Sequence, residues 1–266
     1  MTEPDQAARA ATFQASGSAY DLLVGRYSPA LAVAMADATG VAAGQRALDV
    51  GCGPGALTAE LARRLGPDAV AAVDPSAPFL AACRARNPGV DVREGRAESL
   101  PFPDASFDAA LAQLVLHFVA DPDASVHELR RMLRPGGIAS ASVWDFGGGG
   151  MRLLCAFWAS ALAIDPTAPD EAAVTRFARE GEIAALFEAN GLREVAGGAL
   201  DVEASYSGFA DLWRGFLAGA GPAGAYCASL DAERQAALRD DLRARLGAPD
   251  GPFVLTARAW YATGRT

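Results

Sequence analysis

RALDVGCGPGALT, residues 46–58, decides how the chain is read. A short apolar run carries Asp49 near its end and is followed by glycines at 51, 53 and 55. Residues 46–50 read as a buried strand. Behind the glycines, Leu57, Leu61 and Leu65 fall at four-residue spacing on one helix face, and Gly66-Pro67 stops that helix. The stretch is therefore a strand, a glycine turn and a helix, a turn that brings backbone close to a ligand.

Downstream the same rhythm repeats. Residues 69–74 form a second strand ending in Asp74, 78–87 a helix stopped before Pro88, and 90–94 a third strand. Residues 107–119 begin as a fourth strand. A helix follows Asp121-Pro122 with Val126, Leu129, Met132 and Leu133 on one face, RPGG (134–137) closes it, and 138–144 make a fifth strand. Alternation at this spacing predicts right-handed parallel crossovers and a Rossmann-like α/β sheet covered on both faces. Residues 7–42 are alanine-rich and helical in pattern, with a turn at 25–29. The glycines at 147–150 read as a flexible hinge. Helices are predicted over 151–164, 181–190 and 231–246, and strands over 192–205 and 253–264. About 45 residues between those last strands exceed an ordinary connection and suit a lid or substrate wall. The expected plan is one domain over 1–266. It comprises an N-terminal helical cap (1–44), a ligand-binding core (45–145) and helical insertions at 147–180 and 206–250.

Composition removes several chemistries. All 23 basic residues are arginine, so a phosphate-loop lysine and Schiff-base chemistry are excluded. Two histidines, His117 and His127, cannot build a multi-histidine metal site, and no metal is expected. A net charge of −9 disfavours nucleic acid and anionic lipid as partners. Cys52, Cys83, Cys155 and Cys227 lie far apart without metal spacing and read as free thiols. No secretory signal and no membrane-length apolar run is seen, so a cytosolic (cytoplasmic) location is expected.

GCGPGA also fits one form of the dinucleotide fingerprint, G-x-G-x-x-A, and Asp74 suits the ribose hydroxyls of either NAD or S-adenosylmethionine. Asp49 separates the two. A carboxylate beside a pyrophosphate is repelled, whereas the sulfonium and ammonium of adenosylmethionine are attracted to it.

LDVGCGPG (48–55), the acid of VDPS (73–76), EGRAESLPFPDASFD (94–108) and LRPGG (133–137), in that order and spacing, resemble the class I S-adenosylmethionine-dependent methyltransferases, especially the branch with quinone-biosynthesis C-methyltransferases. The resemblance spans roughly residues 45–145. It implies a seven-stranded sheet, mostly parallel with an antiparallel last strand. It implies that Asp49, Gly51, Gly53 and Gly55 line the methionine end of the cofactor, that Asp74 binds the ribose, and that Pro75 borders the adenine. Ala97 would offer backbone to the adenine edge. Where the family commonly carries Asp or Asn this chain has Arg96, which passes the adenine amino contact to Glu98. Gln113 occupies the position after strand four that faces the methionine moiety, and Arg26 or Tyr20 would reach the cofactor carboxylate.

His117 follows strand four at the ligand edge of such a sheet and is the candidate general base, beside the plainer reading of a hydrogen-bonded structural residue. Trp144 and Asp145 follow strand five on that edge as candidate substrate contacts, Asp145 equally as a structural cap. Phe157, Trp158, Trp213 and Phe216 read as core of the inserted helices, His127 as solvated, and LPFPDASFD and LRPGG as structural. The resulting expectation is transfer of a methyl group from S-adenosylmethionine to a small molecule, leaving S-adenosylhomocysteine. The alternatives are an NAD(P)-dependent oxidoreductase and a non-catalytic S-adenosylmethionine binder.

Overall fold

The computed structural model describes residues 17–247 and 250–266; the first sixteen residues of the expected cap, and residues 248–249, lie outside the described residues. A seven-stranded sheet runs in the order β3-β2-β1-β4-β5-β7-β6. Its strands are β1 (Ala47–Val50), β2 (Val70–Asp74), β3 (Asp91–Glu94), β4 (Phe107–Gln113), β5 (Leu133–Trp144), β6 (Arg193–Tyr206) and β7 (Phe253–Arg265). β1 to β5 pair in parallel, and β7 runs antiparallel to both β5 and β6. The predicted α/β sheet with its antiparallel last strand is thus the observed one.

β1 and β2 are buried along their whole length because helices cover both faces. Successive residues of β1 serve different cores: Ala47 belongs to one buried cluster, Leu48 and Val50 to the other. The helices are α1 (Gly17–Leu22), α2 (Ser28–Thr39), α3 (Ala56–Leu65), α4 (Ala77–Arg86), α5 (Pro122–Met132), α6 (Arg152–Ile164), α7 (Glu171–Val174), α8 (Glu182–Ala189), α9 (Phe209–Leu217), α10 (Gly221–Ser229) and α11 (Ala232–Leu246). α3 buries Leu57 and Leu61 and stops at Gly66. α5 starts on Pro122 with the Asp121 carboxylate accepting from the Ala124 amide at 2.9 Å, and buries Val126, Leu129 and Met132.

β5 begins at Leu133, five residues earlier than predicted. Leu133 pairs with Phe107 before the register shifts, so RPGG is absorbed as an irregular strand start with Gly136 at φ +78°. The late insertion is α9, α10 and α11. Phe157 of α6 stacks on Phe216 of α9 at 4.4 Å, and Trp158, Trp213 and Phe216 are buried, so these aromatics are core.

The 147–150 glycines are not the expected hinge. Asp145 accepts hydrogen bonds from the amides of Gly148 (2.6 Å) and Gly150 (3.2 Å), and the Gly147 amide donates to Ala178 O. A Cβ at Gly148 or Gly150 would lie 2.7 or 2.5 Å from an Asp145 oxygen. Glycine is needed there for close approach, and the loop is clamped.

Candidate functional site

The strand order reverses direction at β1, with β2 on one side and β4 on the other. Loops leaving adjacent strands diverge at such a point and open a crevice at their C-terminal ends. A cavity of about 500 Å³ occupies it. Its walls come from the glycine loop after β1 (Gly51, Gly53), the end of β2 (Asp74, Pro75, Ser76), and the segment after β4 (Gln113, Leu114, Val115, His117, Phe118). Tyr20, Leu23 and Val24 close one side. Trp144, Leu154 and residues 220–223 at the start of α10 close another.

The three loop glycines do different work. All have positive φ (+70°, +52° and +96°), which an L side chain adopts only under strain. A Cβ at Gly51 would lie 2.4 Å from Val115 Cγ2, and one at Gly55 2.4 Å from Asn87 Nδ2 and 2.9 Å from Cys83 Sγ. Those two glycines let the loop pack against the β4 segment and α4. A Cβ at Gly53 would meet nothing nearer than Phe79 at 4.0 Å, on the cavity side. Gly53 is the position where added bulk enters the ligand space.

The loop amides are committed within the protein. Gly51 N and Cys52 N donate to Val73 O at 2.7 and 3.0 Å, Gly53 N to Asp74 Oδ2 at 2.9 Å, and Gly55 N to Cys52 O at 2.9 Å. Residue 54 is proline. Asp49 does not line the cavity, contrary to the sequence expectation. Its side chain lies sealed beneath the loop, where Oδ2 accepts from Thr58 Oγ1 at 2.6 Å and the carboxyl also receives the Thr58 amide. Burial pushes its carboxyl up to about 8, against the lowering effect of the Thr58 hydroxyl. Oδ1 has no hydrogen-bond partner among the described residues.

Asp74 lines the cavity. Its Oδ1 accepts from Ser76 N at 2.8 Å and its Oδ2 from Gly53 N, while burial raises its pKa against those two bonds. Each oxygen keeps lone-pair capacity for a further donor. Pro75 lines the same wall, as does Gln113. Gln113 Nε2 donates to Ser28 O at 3.3 Å, and its buried Oε1 has no partner among the described residues. His117 is buried at the cavity wall beside Phe118, ring centroids 4.0 Å apart. Trp144 also lines it, packed edge-on against Tyr27 at 5.9 Å.

Other expected contacts are placed elsewhere. Arg26 does not line the cavity: its guanidinium pairs with both Asp211 oxygens (3.0 and 2.6 Å) and lies over the Tyr206 ring. Of the two candidates for the cofactor carboxylate, Tyr20 is the one in the wall. Ala97 and Glu98 are outside it; Glu98 Oε1 accepts from the Ala120 amide at 2.9 Å, while Arg96 does line the cavity. Asp145, a candidate substrate contact, is spent on the 147–150 loop. Sequence reasoning missed Phe79, Leu154, Glu171 and the α10 start. Phe79 carried the one available signal, an aromatic at the helix start straight after Asp74-Pro75. Glu171 is buried in the wall and accepts from Trp158 Nε1 at 3.1 Å.

Comparison with known proteins agrees with this geometry. Residues 48–141 match the family described as "Methyltransferase domain". Residues 48–141 thus carry a methyltransferase domain, and they include the strands and the glycine loop that build the crevice just described. It is similar to the ubiquinone/menaquinone biosynthesis C-methyltransferase UbiE of Hahella chejuensis, 37% identical over 108 residues, 38% of this chain and 43% of that one. It is 38% identical over 96 residues to a fatty-acid O-methyltransferase of Mycolicibacterium smegmatis, 35% of each chain. The matched segment thus spans well under half the length of these relatives. Among solved structures, a putative type II methyltransferase from Anaeromyxobacter dehalogenans superimposes with a TM-score of 0.63 at 26% identity, covering 90% of this chain and 96% of that one.

Proposed function

We propose that this protein transfers a methyl group from S-adenosylmethionine to a small, largely apolar acceptor. The observation that carries the choice of cofactor is the internal use of the loop amides. A pyrophosphate on a glycine loop is held by free N–H donors and the helix N-terminus. Here those amides serve Val73, Asp74 and Cys52, and the Asp49 carboxyl sits under the first turn of α3. Without lysine as well, the crevice offers poor support to a dinucleotide.

What it does offer is acceptors. Asp74 stands at the rim for a ribose diol. Gln113 Oε1 is a buried acceptor suited to an N–H donor such as a cofactor ammonium. Asp49 lies beneath the loop, and once ionised above about pH 8 its carboxylate favours a cation electrostatically. The cofactor, when bound, supplies a methyl already activated by positive sulfur. The chain's share is then to orient the acceptor and exclude water, which in well-aligned systems lowers barriers by about 7–11 kcal/mol. Leu23, Val24, Leu154, Pro222 and Ala223 form an apolar wall for the acceptor side, and His117 is placed to take a proton from the acceptor. Relatives named as a fatty-acid O-methyltransferase and a ubiquinone/menaquinone biosynthesis C-methyltransferase support a small apolar acceptor. No helix among the described residues is long and apolar enough to cross a membrane, and we place the reaction in the cytoplasm.

S-adenosylhomocysteine should raise the melting temperature in a concentration-dependent way, because it binds the native state. NADH and ATP should not. A shift with NADH and none with S-adenosylhomocysteine overturns the reading. Mass spectrometry of a metabolite extract incubated with enzyme and methyl-labelled cofactor then identifies the acceptor.

A further inference from the structure

The strand order sets four cavity residues in a row. Gln113 ends β4, Gly53 follows β1, Asp74 ends β2 and Arg96 follows β3, and these strands lie side by side as β4, β1, β2, β3. The function proposed above puts the cofactor ammonium at Gln113 and the ribose at Asp74. A ribose carries its base on the carbon opposite the one that leads to the sulfur. The nucleobase then falls on the β3 flank, against Arg96.

Arg96 is held there from two sides. β3 pairs in parallel with β2, Glu94 opposite Asp74, and Gly95 N donates to Asp74 O at 3.3 Å. A Cβ at Gly95 would lie 2.8 Å from Val73 Cγ2 and 2.9 Å from Pro101 Cδ, so glycine is what lets this turn come so close to the end of β2. From the far side, Ala120 in the cavity wall donates its amide to Glu98 Oε1, and Glu98 Oε2 stands 3.7 Å from Arg96 Nε. The guanidinium is thus tethered through Nε at the cavity mouth, its side chain 67% exposed. Its two terminal amino groups, with four N–H donors between them, have no partner among the described residues.

A guanidinium donates and never accepts. Adenine shows it a mixed edge on either side: N7 or N1 accepts, but the 6-amino group beside it donates. A 6-oxo purine shows O6 and N7, two adjacent acceptors at the spacing of the guanidinium fork. No carboxylate on this flank is open to the amino group. Asp74 and Glu171 are the two carboxylates of the wall among the described residues; Asp74 serves the ribose, and Glu171 lies with Trp158 on the acceptor side. Glu98 is taken by the Ala120 amide and by Arg96 itself. The Ser76 hydroxyl both gives and takes a hydrogen bond, so it favours neither base.

We propose that Arg96 is a specificity-determining residue that reads the nucleobase as a hydrogen-bond acceptor, so that the crevice does not select for the 6-amino group and takes a hypoxanthine-bearing ligand at least as tightly as the adenine-bearing one. The proposal rests on the cofactor reading above. Its consequence is that deamination of the ligand's base does not release it from this protein.

The test is calorimetry on the full-length chain with S-adenosylhomocysteine and with S-inosylhomocysteine, the same ligand with hypoxanthine in place of adenine. The wild type should bind S-inosylhomocysteine equally well or up to about tenfold more tightly, the lower end of what a two-point contact to a purine edge gives, because Arg96 is exposed. Arg96→Ala should weaken S-inosylhomocysteine more than S-adenosylhomocysteine. Arg96→Asp, which supplies an acceptor, should invert the order and favour adenine by at least about fivefold. Melting temperatures without ligand should stay within a few degrees of the wild type for both variants, since the side chain is on the surface. A wild type that prefers adenine by more than about threefold, or one ratio of affinities shared by all three proteins, overturns the role of Arg96. In both of those outcomes S-adenosylhomocysteine still binds and the methyltransferase reading stands. If neither ligand binds the wild type, that reading fails, and the assignment of Arg96 falls with it.

Discussion

Asp49→Asn tests the electrostatics under the glycine loop, because the change removes ionisation and keeps the shape. Burial holds the Asp49 carboxyl at about 8 in the folded chain, against an ordinary 3.8. A group raised on folding binds its proton more tightly in the native state. Its stabilising contribution is complete below the unfolded value and is lost as pH rises from about 4 through about 8. Each pH unit inside that window is worth about 1.4 kcal/mol. Between pH 6 and pH 8 the wild type should therefore lose about 2 kcal/mol relative to the asparagine variant, the slope halving as pH reaches the folded-state value. Every other titrating group is common to the two proteins, so the difference isolates this one. For a chain of this size 1 kcal/mol moves the melting temperature by roughly 2–4 °C, so the gap between the two should widen by about 4–8 °C.

The assay is thermal unfolding of both proteins without ligand across pH 5.5–9, followed by calorimetry with S-adenosylmethionine. In the wild type, affinity for this sulfonium ligand should rise as pH passes about 8, because the ionised carboxylate below the loop attracts it; in the variant that dependence should vanish. A melting difference that stays constant over the whole range would overturn this account, since it means that Asp49 is already charged in the folded protein at pH 6. A constant difference in affinity, with the stability trend present, would mean that the cofactor's charge does not sense Asp49 through the loop.

Asp74→Ala removes an acceptor from the rim and should weaken S-adenosylhomocysteine binding by about 30- to 1,000-fold by calorimetry, the loss of roughly 2–4 kcal/mol of charge-assisted hydrogen bonding. Unchanged affinity would reduce Asp74 to a partner of the Gly53 and Ser76 amides. Gly53→Ala should cost about 1–2 kcal/mol in denaturant unfolding, from positive φ alone, while abolishing ligand binding; Gly55→Ala, which strikes Asn87 and Cys83, should cost at least about 1–3 kcal/mol more. Equal stabilities would show that the Gly55 packing relaxes. His117→Gln should lower the methylation rate by about 10²- to 10⁴-fold with cofactor affinity nearly unchanged. A full rate across pH would show that the acceptor arrives already nucleophilic.

The sheet was legible because its signals are local. Apolar runs of strand length, Gly66-Pro67, Asp121-Pro122 and Gly191 mark starts and stops through backbone chemistry that tertiary contacts rarely override. Where a side chain reaches out to another segment, legibility fell. Asp145 and the 147–150 glycines looked like a substrate contact beside a hinge, yet the carboxylate bonds to two of those amides and the hinge becomes a clamp. Arg26 looked available and is held by Asp211, 185 positions away. Asp49 lay on the right strand, but its rotamer and its distance from the cavity depend on Thr58, one turn into the next helix.

The two halves of the crevice differ in kind, and this explains why only one could be read. The cofactor side is built from one strand–loop–helix unit and the end of the next strand, so its residues are close in sequence and their glycines answer to φ angles and close approaches that no other residue satisfies. The acceptor side is assembled from the segment just after α1, the end of β5, α6 and the start of α10, with Leu23 and Ala223 about 200 residues apart along the chain. Leu23, Trp144, Leu154 and Ala223 are buried apolar side chains, chemically the same as the core residues beside them. Periodicity says only that such residues point inward. Whether they meet another side chain or an open cavity is decided by the packing of distant helices. A cofactor's shape is therefore written in backbone constraints, while an acceptor's shape is written in the volumes left between helices, and a change of acceptor needs only a change in side-chain size at those positions, with the glycine loop untouched.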